Sequence, residues 1–278
     1  MKRFLVRLVL WVFLLTGLFF SARSVLDAKK AEKVSQEAVQ IAKLPAGISA
    51  SVRLIPMEDD GEEGQEGGME TDGEKTKEGS EALPEEASFL ADINLEALQE
   101  VNQDVLGWIS LPGTKLSYPI VQGEDNNEYL YHNWKKEPSI SGSIFMESAN
   151  CSDFSDFHTI IYGHRMRDLT MFGVLKEYQS LDFLQEHPNI YLVHGDEICR
   201  YAVFAAYEAG IKSMVYRLDV EENGWEEEFL QFCRESSVID AGVTPEPGAK
   251  ILTLSTCTGR GHSTRWVVQG YLTEVEKR

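Results

Sequence analysis

The stretch Leu252-Thr253-Leu254-Ser255-Thr256-Cys257 has the composition of a β-strand and ends on a cysteine. Side chains alternate between the two faces of a strand, so the odd-numbered positions from 251 to 257 share one face. We expect the more apolar, even-numbered positions to face the core. The alternation therefore predicts that Cys257 projects with the hydroxyl-bearing side chains, at the end of its strand. A packed core thiol is the alternative.

Arg265 opens the next apolar run, after a loop at residues 258–264 that is rich in glycine and polar residues. If the two strands form a hairpin, Cys257 and Arg265 meet at its mouth. A nearby positive charge lowers the pKa of a thiol and supplies a donor for a developing oxyanion. The alternative is a surface arginine beside an inert cysteine, and spacing alone leaves both interpretations open.

His164 is the histidine whose setting best fits an acid or base. It follows the apolar strand Thr159–Tyr162 and a glycine, and catalytic groups are often displayed where a rigid strand ends. A thiol, an imidazole and a fixed positive charge are the parts needed for acyl transfer through a thioester. A purely structural role for this lone histidine stays open. The sequence predicts a turn position for His194 and solvent exposure for His132, His158, His187 and His262.

From Gly107 onward, short apolar runs separated by turns predict a mostly β fold, either a barrel or a sandwich. Two helices are expected beside it. One runs from Ser88, its cap, to about Gln103, and the other covers Asn223–Ser236 between two late strands. The predicted strands are Leu106–Ile109, Tyr118–Val121, Gly142–Met146, His158–Tyr162, Ile190–His194, Cys199–Glu208, Lys250–Thr256 and Trp266–Leu272.

The amino-terminal run Phe4–Phe20 is almost wholly apolar, with Lys2, Arg3 and Arg7 near its start. Its 17 residues lie at the lower end of what spans a bilayer as a helix. A cleaved signal peptide is the alternative, but its apolar region is usually about 7–15 residues long, and Ser21-Ala22-Arg23 is a poor cleavage site. We therefore expect an uncleaved single-pass anchor in the cell membrane, with a cytoplasmic amino terminus and an extracellular domain.

Composition divides the chain into four regions. Residues 1–23 form the cytoplasmic tip and anchor, 24–56 a partly helical stalk, 57–87 an acidic disordered linker, and 88–278 the globular domain. In the stalk, Ser24–Lys43 has helical spacing, with Val34, Ala38 and Ile41 on one face. The linker holds 13 acidic residues and two lysines and has too few bulky apolar side chains to bury a core. An acidic docking tail is the alternative to a simple tether.

The charge balance excludes nucleic acid as a partner. The chain has a formal net charge of −19, and residues 88–278 carry 29 acidic against 15 basic side chains. Nucleic-acid binding needs concentrated positive charge that replaces counterions.

The cysteines form no zinc-binding pattern. Cys151, Cys199, Cys233 and Cys257 are 48, 34 and 24 residues apart, without a CxxC pair, so no structural zinc site is predicted. An even count outside the cell is compatible with two disulfides. The apolar run around Cys199 and the predicted helix around Cys233 favour buried free thiols instead. Counting leaves the disulfide state open.

Three separated segments of the chain carry the histidine, the cysteine and the arginine, in that order. Tyr162-Gly163-His164-Arg165-Met166, continuing to Thr170-Met171-Phe172, precedes Leu252–Cys257, and Arg265-Trp266-Val267-Val268 follows. These segments resemble the histidine segment and the active-site signature of the sortase family. The resemblance runs from about Ser88 to Leu272. Segments that match class B sortases in particular are Gly107–Ile109, Tyr118–Gly123, Gly142–Met146 and the inserted helix near Trp225–Phe232.

The resemblance implies a closed sortase-type β-barrel of about eight strands. It also implies a membrane-anchored cysteine transpeptidase on a Gram-positive cell surface. By matching position, Cys257 would be the nucleophile, His164 the general acid and base, and Arg265 the stabiliser of the oxyanion or substrate. The positions that match substrate-binding residues are Asn126, Leu130 and Ser255. Thr258 stands where some class B members have an acidic residue, so no role is transferred to it.

The implied reaction cleaves a C-terminal sorting motif of surface proteins after threonine, through a thioacyl-enzyme intermediate. The acyl group is then joined to an amine of the peptidoglycan cross-bridge or of a pilin. No metal or organic cofactor is implied. Two alternatives remain: a surface cysteine protease that uses water as its acceptor, and a tethered binding module whose cysteine is inert.

Overall fold

A computed structural model describes residues 16, 25–27, 29–42, 85–246, 248–258 and 263–278 of the chain. It contains the eight predicted strands, which close into one barrel, so the mostly β prediction is confirmed as a barrel rather than a sandwich. The strands are β1 Val105–Ser110, β2 Ser117–Val121, β3 Ile144–Met146, β4 His158–Tyr162, β5 Asn189–His194, β6 Glu197–Gly210, β7 Ile251–Cys257 and β8 Thr264–Lys277. Their spatial order is β1-β2-β3-β4-β7-β8-β6-β5.

Short helices accompany the barrel. The α-helices are α1 over residues 25–27 and 29–41, α2 Leu95–Val101, α3 Glu128–Tyr131, α4 Leu181–Glu186 and α5 Glu226–Ser236. Single 3-10 helices cover Glu85–Asp92, Gly173–Gln179 and Met214–Tyr216.

Strand β7 determines where the chemistry can lie. It pairs in parallel with β4 and antiparallel with β8. Parallel neighbours end at the same edge of a sheet, and an antiparallel neighbour begins there. The residues after Tyr162, the end of β7 at Cys257 and the start of β8 at Thr264 therefore meet at one end of the barrel.

The alternation predicted for β7 is confirmed, but both of its faces are buried. Leu252 and Leu254 lie in the barrel core. Ile251 packs outside the barrel, in a cluster that includes Phe229 and Leu230 of α5. Because α5 covers the outer face of the sheet, the hydroxyl-bearing positions of β7 are also buried, and only Cys257 at its end is half-exposed.

The helix predicted over Asn223–Ser236 is present as Glu226–Ser236, between β6 and β7. Its first turn consists of three glutamates, which interact favourably with the positive end of the helix dipole. Phe229, Leu230 and Cys233 form its buried face. The helix therefore forms an apolar layer over the strands that carry the predicted site.

The single helix predicted from Ser88 to about Gln103 is wrong. The chain forms a 3-10 helix at Glu85–Asp92 and a separate α2 at Leu95–Val101. The side chain of Asn94 accepts a hydrogen bond from the Ala97 amide at 3.0 Å. An asparagine in this position caps a new helix and satisfies an amide that a continuous helix would have paired internally. The cap is thus Asn94 rather than Ser88.

Helix α1 packs on the barrel domain through one face. Val34, Ala38 and Ala42 are buried in a cluster with residues of the domain. The indole nitrogen of Trp134 donates to the Val34 carbonyl at 3.4 Å, and Lys135 forms an ion pair with Glu37. This part of the predicted stalk therefore contributes to the domain core.

The predicted anchor Phe4–Phe20, apart from Thr16, and the acidic linker up to residue 84 lie outside the described residues. Within the described part of the chain, no helix has both the length and the apolar character needed to cross a bilayer.

Candidate active site

Cys257 and Arg265 form the mouth of a hairpin, as the sequence predicts. They are register partners, the last pair of the β7–β8 ladder at the barrel end described above. Directly opposed residues of antiparallel strands have their Cβ atoms about 4.5–5.5 Å apart. The thiol is half-exposed, and a guanidinium nitrogen of Arg265 donates to the neighbouring Thr264 carbonyl at 3.0 Å.

On the β4 side of β7, hydrogen bonds between the two chain segments continue beyond Tyr162, where β4 ends. Tyr162 is paired with Ser255. The Gly163 amide then donates to the Ser255 carbonyl at 3.3 Å, and the Thr256 hydroxyl donates to the Gly163 carbonyl at 2.7 Å. A side chain at position 163 would clash, because an added Cβ would lie 2.5 Å from Ile144. These contacts fix the direction in which the chain leaves β4.

His164 follows Tyr162 by two residues, as Cys257 follows Ser255, so both residues lie at the same end of the parallel β4–β7 pair. On the β8 side, the register partner of Cys257 is Arg265. The Nε2 atom of His164 lies 2.8 Å from the Leu130 carbonyl oxygen. A carbonyl can only accept, so Nε2 carries a hydrogen, and Nδ1 is the proton acceptor of the neutral ring.

Gly142 makes room for this arrangement. Its φ is +55°, and a Cβ there would lie 2.7 Å from the Leu130 carbonyl oxygen and 3.1 Å from Cδ2 of His164. A larger residue would therefore disturb both partners of the hydrogen bond that holds the imidazole. The lack of space at position 142 thus explains why the Gly142–Met146 segment begins with glycine, which the sequence pattern does not show.

Residues 109–273 match the family model of the sortase domain. The chain belongs to the sortase family. Sortase B of Listeria monocytogenes is 38% identical over 180 residues, which are 64% of this chain and 73% of that protein. The structure of a Staphylococcus aureus sortase B–substrate complex is 35% identical and aligns with a TM-score of 0.61. The alignment covers 65% of this chain and 84% of the Staphylococcus aureus chain.

A sortase B from Bacillus anthracis, solved in complex with AAEK1, aligns with a TM-score of 0.67 at 29% identity, over 91% of this chain and all of that chain. These similarities confirm the predicted class B resemblance and support a cysteine transpeptidase of that class.

The Arg265 charge acts on two tyrosines of this sortase to which the sequence assigned no role. The hydroxyl of Tyr216 is 2.9 Å from that of Ser255. Burial raises the pKa of Tyr216, the Ser255 contact and the Arg265 charge lower it, and Cys257 raises it. Burial also raises the pKa of Tyr162, on which the Arg265 charge again acts. The guanidinium therefore lies within electrostatic reach of both phenols.

Asn126 is held by contacts within the sortase domain. Its amide nitrogen donates to Oε1 of Glu147 at 2.6 Å, and its amide oxygen accepts from the Ser148 amide at 2.9 Å. The other carboxylate oxygen of Glu147 accepts from the Tyr162 hydroxyl at 2.8 Å. Glu147, also missed from sequence, thus connects the predicted substrate-binding Asn126 to Tyr162, the first residue of the His164 segment.

The other two predicted substrate-binding residues also make internal contacts. Leu130 provides the carbonyl that accepts from His164, and its side chain packs partly buried against a core cluster. Ser255 is buried and contacts Tyr216. Leu130 thus contacts a predicted catalytic residue directly, whereas Ser255 contacts Tyr216, on which the Arg265 charge acts. No motif marks Tyr216, because it lies in an isolated 3-10 turn.

His158 is buried, so its predicted exposure is wrong. Its Nδ1 donates to the Arg217 carbonyl at 2.9 Å, and its Nε2 accepts from the Thr253 hydroxyl at 2.7 Å. Burial against α5 lowers the pKa of His158 to about 4, although the backbone contact and the charge of Asp156 oppose the shift. The hydrogen bond to the Arg217 carbonyl thus holds the segment that contains Tyr216, whose hydroxyl contacts Ser255.

We expect His158 to make the sortase domain less stable in acid. Its folded pKa of about 4 lies below the unfolded value of about 6.5. The neutral ring's contribution is therefore fully present above about pH 6.5 and is lost as the pH falls toward 4. Between about pH 7 and 5, the wild type should lose about 2 kcal/mol more unfolding free energy than His158→Gln. Denaturant titration at both pH values measures this difference.

The matched control is His187→Gln, which replaces a partly exposed histidine and should preserve the wild-type dependence on pH. An equal loss for the wild type and His158→Gln would show that His158 does not contribute to the acid sensitivity.

Proposed function

We propose that this sortase cleaves a C-terminal sorting motif of surface proteins after a threonine and transfers the acyl group to an amine. The acceptor belongs to a peptidoglycan cross-bridge or to a pilin. The observation that carries the proposal is the Cys257–Arg265 pair, which lies at the barrel end where the chain leaves β4 and continues to His164.

In the first half-reaction, the Cys257 thiolate attacks the threonine carbonyl carbon and forms a C–S bond. Negative charge develops on the carbonyl oxygen, and the Arg265 guanidinium stabilises it. As the tetrahedral intermediate collapses, the C–N bond breaks and His164 donates a proton to the departing amine. The product is a thioester between enzyme and substrate.

In the second half-reaction, the acceptor amine attacks the thioester carbonyl. His164, now neutral, removes a proton from the amine, and the C–S bond breaks to regenerate the Cys257 thiolate. Aminolysis outcompetes hydrolysis when the site holds the amine close to the thioester and limits the access of water. The Leu130 carbonyl supports this role because it binds the Nε2 hydrogen and leaves Nδ1 to exchange the proton.

The proposal includes a location at the cell membrane, with the catalytic domain outside the cell. Its support is the apolar run Phe4–Phe20 and the basic residues at its start.

Product analysis tests the function directly. The full chain is incubated with a panel of sorting-motif peptides, each with and without a peptide that offers a free amine. We expect a ligated product that increases with amine concentration, at the expense of hydrolysis, together with an enzyme-bound thioester detectable by mass. The same acceptor with its amine acetylated is the control. Hydrolysis that is unaffected by the amine would instead establish a protease, and absence of cleavage would favour a binding module.

A further inference from the structure

A second cluster of reactive side chains lies on the hairpin between β5 and β6. Gly195, with φ of +54°, and Asp196 form its turn, and the register pairs His194 with Glu197. Cys199 follows two residues after Glu197, so it shares a face with that glutamate. One short hairpin thus brings together an imidazole, a carboxylate and a thiol.

The distances from His194 to the other two groups match the edges of a tetrahedral zinc site. Nε2 of His194 lies 3.6 Å from Oε2 of Glu197 and 3.6 Å from the sulfur of Cys199. All three donor atoms lie within 4.8 Å of one another. With Zn–N of about 2.0–2.1 Å and Zn–S of about 2.3 Å, the edges of a tetrahedron are about 3.3–3.6 Å long. The two donor pairs that include His194 therefore have the spacing that a zinc ion needs.

The surroundings hold the donors and leave a path for an ion. Phe154 stacks on the His194 ring with centroids 5.0 Å apart, which restrains the imidazole. Cys199 is buried, whereas the side chains of His194 and Glu197 are 21% and 36% exposed. The cluster therefore combines an anchored sulfur with two ligands that solvent can reach.

The charges around the cluster are mixed. The Lys250 ammonium acts on both His194 and Cys199 and opposes a cation, while the carboxylates of Asp153 and Asp196 act on His194 in the opposite sense. Lys250 is tied to the Phe154 carbonyl at 3.2 Å. Burial raises the pKa of the Cys199 thiol to about 11, so the thiol holds its proton until a metal displaces it.

We propose that His194, Glu197 and Cys199 bind one Zn²⁺ ion, with a water molecule as the fourth ligand. Binding replaces the thiol proton with a sulfur–zinc bond and releases that proton to solvent. A set of thiolate, imidazole and carboxylate favours zinc over calcium or magnesium, which prefer oxygen ligands. The absence of a CxxC pair does not oppose such a site, because a single cysteine is used.

The site lies at the far end of the barrel from the reacting cysteine. On β8, Glu197 pairs with Lys277, whereas the partner of Arg265 is Ala209, near the other end of β6. The ion would therefore fasten the β5–β6 hairpin and stabilise the barrel without taking part in acyl transfer. The proposal is independent of the proposed function.

The test uses full-length protein in the Cys257→Ala background, so that the thiol beside His164 cannot bind metal. After removal of metal, Co²⁺ serves as a spectroscopic probe and Zn²⁺ as its competitor. We expect a thiolate-to-cobalt charge-transfer band that saturates at one equivalent and disappears when Zn²⁺ is added. Zn²⁺ should also raise the melting temperature, since a ligand that binds only the folded state stabilises that state.

Three further variants complete the test. Cys199→Ser should abolish the band and weaken Zn²⁺ binding by more than about 100-fold. Glu197→Gln, a change at a partly exposed position, should weaken binding by about tenfold and leave the fold intact. Cys233→Ser removes a different buried thiol and should bind like the parent. The proposal is overturned if the parent shows no band, or if Cys199→Ser or Glu197→Gln binds like the parent.

Discussion

The Cys257→Ala variant is expected to lose transpeptidation by at least about 10⁴-fold. The change removes the sulfur that forms the thioester, and neither His164 nor Arg265 can replace it as a nucleophile. The other thiols offer no substitute: Cys199 and Cys233 are buried, and the pKa of Cys151 is raised through its hydrogen bond to Asp156. Initial rates of ligated product, measured with a saturating acceptor amine, give the loss.

The same variant should keep its stability nearly unchanged. Cys257 is half-exposed at the end of β7, so loss of its sulfur costs about 1 kcal/mol or less of unfolding free energy. The matched control is Cys151→Ala, which removes an exposed thiol elsewhere and should retain full activity. Normal ligation by a folded Cys257→Ala protein would refute the nucleophile assignment.

The period of the strands made much of the fold predictable. Alternating apolar and hydroxyl-bearing positions located β7, and the polar loop after it indicated the hairpin that pairs Cys257 with Arg265. Both features depend on neighbours in sequence. The strand predicted at His158–Tyr162 even has the observed bounds, because it is a compact apolar run followed by a glycine.

Long-range packing explains what the sequence did not reveal. His158 is itself a polar residue at the start of its strand, yet Phe229 of α5 packs against its ring, and the side chain is buried. Glu147 and Tyr162 meet only because β3 and β4 are antiparallel neighbours. The Asn94 side chain caps a new helix through one hydrogen bond, so the chain forms two helices where the spacing of apolar residues predicts one.

Helix α1 shows the same limit for an element that the sequence did predict. Its helical spacing was visible, including the face that carries Val34 and Ala38, but spacing does not identify the surface that covers a face. Trp134, about 100 residues later, supplies the contact. The apolar face of a short stalk and that of a docked helix have the same periodicity, so only the tertiary structure distinguishes them.

The second large effect is expected for His164→Gln, which should lower kcat/KM for ligation by about 10²–10⁴-fold. The glutamine amide retains a donor for the Leu130 carbonyl, the contact that Nε2 makes at 2.8 Å. It cannot accept and return a proton as an imidazole does. The variant thus separates proton transfer from the local structural role of the side chain. Steady-state rates with a labelled sorting-motif peptide measure the effect.

The comparison that decides the role of His164 is with His132→Gln. His132 lies nearby in sequence to Leu130, and its Nδ1 also contacts a backbone carbonyl, that of Glu128, at 2.7 Å. A purely structural histidine should tolerate this replacement, so His132→Gln should retain activity. If His164→Gln also stays within about tenfold of the wild type, general acid–base catalysis by His164 is excluded. A large loss confined to position 164, in a variant that melts like the wild type, would instead assign the proton transfer to the imidazole of His164.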